Sequence, residues 1–440
     1  MALGPNRNLL AIVVLTAWLS SGQVRAQLDF ERDPIHYSKS QPTDRVARLA
    51  EELISGRRTL QWEDKHGYLK AVLSALEVPH SSQTLVFSKT SLQVSRISPQ
   101  TPRAIYFNDD VYVGWIPQAD VIELSAADPQ LGGTFYTLPQ EQHGGPHIRR
   151  ETAKCLSCHA STHTRRVPGH IVRSVYPSQT GLPVYRLGTH INTDSSPWEE
   201  RWGGWYVTGL YGAQRHMGNA TVKDPDQDPP LDTETGANLT RLDDQFDTAR
   251  YLSCHSDVVA LMVLQHQAFM HNALTAANHA GRLTERDAKL MNKLLEREPE
   301  YESEATISRY QHAAEKVVKA LLFADEERLT DPVTGTSSFA EEFSGAGPVD
   351  SQGRSLRQLD LQCRLMRYPC SFLIYSDAFR QLPPGVHQRV LRRLHAVLTA
   401  DIAEDEFSHL SSDDRRAIHE ILTVTLDAYP VDSHHEPLSD

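Results

Sequence analysis

Between positions 42 and 60 the apolar residues recur at helical spacing behind Thr43-Asp44, a pattern that predicts a helix. From 83 to 138 the rhythm shortens. β-Branched and aromatic runs are broken by Asn108-Asp109-Asp110, Pro117 and Gly132-Gly133, which predicts several strands joined by tight turns. Residues 140–250 carry Gly, Pro, His, Arg and Trp without a sustained period, and read as a loop-dominated region of the kind organised around a large ligand. At Ser256 the pattern becomes helical. The stretch 256–283 opens on a Ser-Asp cap and is apolar nearly all round, so it predicts a buried central helix. Separate amphipathic helices are expected over 285–298, 306–329, 385–404 and 411–429, with a long polar connection over 337–360. The expected class is therefore α+β. It has an N-terminal α+β region (27–140), a loop-rich middle (141–250), a mainly α-helical region (251–430) and a short tail (431–440).

The first 26 residues follow another logic. Arg7 precedes an uncharged apolar run over 9–19, and Val24 and Ala26 stand where a signal peptidase requires small residues. A signal peptide over 1–26 is expected, and with it a periplasmic or secreted protein. Eleven apolar residues fall short of the roughly 20 that cross a bilayer, and no later segment is apolar for long enough. The formal charge of the 440-residue chain is −12, and cleavage would remove two arginines and no acid. Such a surface disfavours nucleic acid and anionic lipid, and would attract a basic partner at low salt.

Export also gives the five cysteines meaning, because spare thiols pair in oxidising compartments. Cys155-Leu156-Ser157-Cys158-His159 holds three of the chemistry-bearing residues. Two thiols on one turn span the two vinyl groups of a porphyrin, and a histidine directly after the second falls beneath the metal. This pentapeptide resembles the attachment motif of c-type cytochromes. The resemblance covers only these five residues and their loop-rich context. It implies one covalent haem c, thioethers at Cys155 and Cys158, His159 as proximal iron ligand, and haem attachment outside the cytoplasm. The chain is several times longer than a small cytochrome c, so most of it lies beyond the match.

Two rival chemistries share these residues. Zinc could draw on Cys155, Cys158, His159 and His163, but no second Cys-x-x-Cys exists. A redox-active dithiol would be expected within a βαβ pattern, and none surrounds it. The later Tyr251-Leu252-Ser253-Cys254-His255 lacks the first cysteine, so one haem is counted. With Cys155 and Cys158 consumed, Cys363 and Cys370 are close enough in sequence to pair, leaving Cys254 buried. Glu406 and His409 have di-iron spacing but no second motif, so a solvated helix end is expected.

For the distal side of the iron, the stretch 198–220 has the aromatics and glycines of a flat-cofactor wall and contains His216 and Met217, the favoured ligands. Trp202, Trp205 and Tyr206 could line such a wall, and Arg201 or Arg215 could meet a propionate; equally, these aromatics could simply pack a core. His170 and His190 remain open as ligands, whereas His266 and His271 read as core histidines. The function expected is an exported mono-haem cytochrome transferring single electrons. The alternatives are a peroxidase-like oxidoreductase with an open distal side, or a module in which haem senses or ties the two halves. No Gly-x-Ser-x-Gly, phosphate loop or dinucleotide fingerprint occurs.

Overall fold

The computed structural model describes residues 29–430; the signal-peptide reading and the tail fall outside them. Helix α1 (Arg45–Ile54) begins where Asp44 accepts from the amides of Val46 and Ala47 at 2.8 and 2.9 Å. This is the side-chain cap that the Thr43-Asp44 pair predicts. A short α2 (Leu69–Ala75) follows, and then the strands begin. β1 (Thr84–Val86), β2 (Arg103–Phe107), β3 (Val111–Trp115), β4 (Val121–Asp128) and β5 (Gly132–Pro139) form an antiparallel meander. Its edges are closed by two strands from the middle of the chain, β6 (Arg149–Arg150) beside β5 and β9 (Trp205–Tyr206) beside β1. Between these edge strands lie α3 (Leu156–His159) and a separate β7–β8 hairpin (Arg173–Val175 and Thr189–Ile191).

One face of the sheet packs against α1, α2 and the 242–251 loop in a single apolar cluster. Against β5 lies α4 (Val258–Leu294), a 37-residue helix capped by Asp257. Its N-terminal two-thirds is mostly buried because the sheet contacts one flank and α5 (Glu304–Leu321) and α8 (Pro384–Thr399) the others. That position explains an apolar pattern with no polar face. α9 (Ser412–Thr425), opened by a Ser411/Asp414 capping box, packs on α8.

The arrangement is α+β: a seven-stranded antiparallel sheet N-terminally and helices C-terminally. Four details differ from the sequence reading. The expected helices at 256–283 and 285–298 are one helix, since no proline or cap interrupts them. Gly281 inside it is where α8 approaches: a Cβ there would sit 2.8 Å from the Val386 side chain. The polar connection contains a short α6 (Phe339–Ser344), and α7 (Asp377–Arg380) precedes α8. Cys363 and Cys370 do not pair: both thiols are free, Cys370 fully buried and Cys363 half-exposed. Cys254 is half-buried rather than buried, with its Sγ 3.4 Å from His255 Nε2. No described helix is long and apolar enough to cross a membrane.

Candidate cofactor site at Cys155, Cys158 and His159

The turn α3 is a single helical turn with Cys155 at its N-cap. The amides of Cys158 and His159 both donate to the Cys155 carbonyl, at 3.2 and 3.0 Å. One side chain anchors it. Leu156 is buried in an apolar cluster with Phe30, Ile35, Tyr37, Leu131 and Phe135, and Cys155 packs against the same cluster. Cys158 is exposed, whereas Cys155 and His159 are half-buried, so the turn presents one thiol at the surface and holds the other thiol and the imidazole at its edge.

What fixes the imidazole comes from further along the chain. His159 Nδ1 lies 2.9 Å from the Gly169 carbonyl oxygen, and the Gly169 amide donates back to the His159 carbonyl at 2.8 Å. Because a carbonyl can only accept, Nδ1 carries the hydrogen and Nε2 keeps its lone pair, the tautomer that binds a metal. Nε2 has no hydrogen-bond partner among the described residues. Burial lowers the His159 pKa and the Gly169 carbonyl partly opposes it, so the neutral ring is favoured.

Residues 168–170 are themselves held from two sides. The Gly133 amide at the start of β5 donates to the Pro168 carbonyl at 2.8 Å. Asn272 of α4 clamps His170, accepting from its amide at 2.9 Å and donating to its carbonyl at 2.7 Å. The approach is too close for a side chain. A Cβ on Gly169 would sit 2.0 Å from Asn272 Oδ1, and one on Gly133 would sit 2.9 Å from the Gly169 amide nitrogen. The sheet and the central helix thus position one imidazole through a three-residue latch.

Behind it stands a ring cluster. Phe135 lies 4.7 Å from the His159 ring and 6.0 Å from the His170 ring. His170 Nε2 meets Ser125 Oγ at 2.7 Å, and Tyr112 meets His271 Nδ1 at 2.9 Å. Phe135, Tyr112, Asn272 and the Gly169 carbonyl were not picked out from sequence. Two signals were available: the Pro168-Gly169 pair just past the motif, and an asparagine inside an otherwise apolar helix.

The donor set fits covalent haem: two free thiols three positions apart, an oriented imidazole, and an apolar flank. Among the described residues no group of three or more His, Cys, Asp or Glu side chains is placed to hold a metal ion. The Cys155 thiol is pushed up to about 11, by burial first and then by Glu151 and Glu123, whereas a reactive dithiol needs a depressed value.

The distal candidates lie in other surroundings. His216 is buried among Trp198, Trp202 and Tyr211, with Nδ1 accepting from the Gly218 amide at 2.9 Å and its pKa pushed down to about 3, by burial first. Its Nε2 is buried without a partner. Met217 packs with Ala220, Val222 and Leu231, and its Sδ accepts from Ser174 Oγ at 3.4 Å. Neither shares a hydrogen bond, ring contact or apolar cluster with Cys155, Cys158 or His159 among the described residues. Trp202, Trp205 and Tyr206 are buried in the core. Arg201 is buried against the carbonyls of Ser196 and Asp194, and Arg215 pairs with Glu234. His190 pairs with Glu200 at 3.0 Å, and His163 lies on the short turn after α3. Glu406 pairs with Lys319 and His409 Nε2 meets the Leu322 carbonyl, so the two serve different contacts.

His266 links Asp194 at 2.8 Å and Ser371 at 2.7 Å, the order of a hydrolytic triad. His266 and Ser371 are completely buried, and Ser371 Oγ also caps the turn at Leu373, so this chain of bonds ties α4 to two loops.

No protein-family model matches the chain, and no curated protein or solved structure does so either.

Proposed function

We propose that this chain is an exported c-type cytochrome that carries one covalent haem and passes single electrons. Cys155 and Cys158 would form the thioethers and His159 would be the proximal iron ligand. The observation that carries the reading is the His159–Gly169 hydrogen bond. It sets the ligating tautomer on the histidine that directly follows the two free thiols.

Haem bound here would supply a one-electron iron couple. The protein's own part is positional. α3 holds the thiols on one turn, the Gly169 carbonyl makes His159 a better donor, and Leu156 and Phe135 keep water from its flank. An acidic chain of formal charge −12 suits a basic redox partner met by electrostatic steering. His216 and Met217 remain the proposed distal ligands; because His216 Nδ1 accepts from the Gly218 amide, the hydrogen sits on Nε2 and would have to leave it for that nitrogen to ligate.

The test is an absorption spectrum of the exported protein, oxidised and reduced, followed by the pyridine derivative. Thioether-linked haem with a filled distal side is expected. A spectrum of high-spin iron would instead favour the peroxidase-like reading, and a colourless protein would end both.

A further inference from the structure

A cavity of about 460 Å³ opens between α4 and α5, apart from the thiols and imidazole of α3. Its floor is a stripe of small residues, Ala273, Ala276, Ala277 and Ala280 of α4, facing Ala313 of α5. Spacings of three, four and seven put the four α4 alanines on one helix face, where their short side chains create the space. Around that apolar floor stand Arg32, Arg165, Arg286, Arg309 and Lys316, against only Asp29 and Asp287. In a chain with more acids than bases, this excess of cations is local and not compositional.

The acids are already engaged. Asp287 accepts from Arg286 at 2.7 Å and from Arg309 at 3.1 Å, while Asp29 lies 3.7 Å from Arg32. Arg165 and Lys316 have no carboxylate partner among the described residues. Both also line a second cavity of about 140 Å³, so the two free cations stand between adjoining spaces. Arg165 is held there at a cost to the backbone. It and Arg166 are consecutive left-handed residues, at φ 58° and 63°, and its guanidinium rests 4.9 Å from the Phe269 ring on α4. Strain of this kind in non-glycine residues concentrates where a side chain must be aimed.

We propose that this cavity binds an organic anion with a flat or chain-like apolar body and two acidic groups. The alanine floor would take the apolar body, and Arg165 and Lys316 would take the charges. The size lies within the usual range of small-molecule sites. The site is independent of haem attachment.

The test is calorimetric titration of the full-length protein with naphthalene-2,6-dicarboxylate, its uncharged diamide and inorganic phosphate. Saturable binding is expected for the dicarboxylate and at least tenfold weaker binding for the other two. Arg165→Gln combined with Lys316→Gln should weaken the dicarboxylate at least tenfold. Ala280→Leu, at an exposed position, should do the same by filling the floor while keeping every charge; thermal melts would verify the fold of each variant. Absence of saturable binding, phosphate binding as tightly as the dicarboxylate, or indifference to both substitutions in folded protein would overturn the proposal.

Discussion

His159 Nδ1 sits 2.9 Å from the carbonyl oxygen of Gly169, and the Gly169 amide returns a bond to the His159 carbonyl. The loop from His159 to Gly169 is thereby closed on itself, with the imidazole of the Cys-x-x-Cys-His turn set in one tautomer. Residue 169 must be glycine for this, because the space beside it is filled by Asn272. Gly169→Ala is expected to displace the Asn272 amide, cost about 2–4 kcal/mol of stability, and lower the fraction of exported protein that carries haem. Chemical denaturation and haem-to-protein absorbance would measure the two effects separately.

Asn272 satisfies both backbone groups of His170 from the middle of the central helix. Asn272→Ala would leave a buried N–H and a buried carbonyl unpaired, at about 2–4 kcal/mol. Asn272→Asp would keep the acceptor but set a buried carboxylate oxygen against the His170 carbonyl, so at neutral pH it should cost at least as much as Asn272→Ala. Denaturant midpoints across the three proteins would show that order.

The legibility of this chain in its sequence follows the range of the interactions involved. The helix at Arg45–Ile54 and the meander through Gly132–Pro139 rest on local caps, alternation and turns, and all of these were readable. The fusion of two expected helices into Val258–Leu294 was missed because a helix-long apolar pattern suggested a boundary that no breaker enforces. The Cys155-Cys158-His159 turn was visible as a motif, since its chemistry is contained in five residues. The latch at 168–170 was not, because it depends on β5 and α4 approaching from opposite sides. The aromatic stretch around Trp202 and Trp205 looked equally like a cofactor wall and a core, and those side chains are buried in the core. The Cys363–Cys370 pairing rested on sequence separation alone, which says nothing about where the sulfurs point.

Asp44 does more than cap its helix. Besides the amides of Val46 and Ala47, its carboxylate accepts from Thr134 at 3.0 Å and from Tyr136 at 2.5 Å, so it joins α1 to β5. Asp44→Ala should cost about 3 kcal/mol, from a lost cap and an orphaned Tyr136 hydroxyl, while the Thr134 hydroxyl keeps the Ala126 carbonyl as acceptor. Asp44→Asn retains an acceptor for the cap and should cost roughly half as much. Thermal or urea unfolding of both variants would check the ratio.

Glu326 supplies a pH dependence. Its pKa is raised from 4.5 to about 7, by burial first, with the nearby Asp194 adding to it and Arg201 and His266 opposing it. A carboxyl raised on folding is most favourable when protonated, so its contribution is complete below about pH 4.5 and is lost as pH rises through about 7. Glu326→Gln can still accept from the Leu365 amide, held at 2.8 Å in the native chain. The variant should therefore gain about 2 kcal/mol on wild type between pH 5 and 8. Parallel pH profiles of unfolding free energy would show whether the two curves diverge as pH rises.

Intact mass spectrometry of the denatured protein, after export from cells that mature c-type cytochromes, tests the cofactor assignment most directly. The account predicts a mass greater by one haem, with Cys155 and Cys158 both resistant to alkylation, and loss of that mass in the Cys155→Ser, Cys158→Ser double variant. A mass equal to the polypeptide alone, with both thiols freely alkylated, would contradict it.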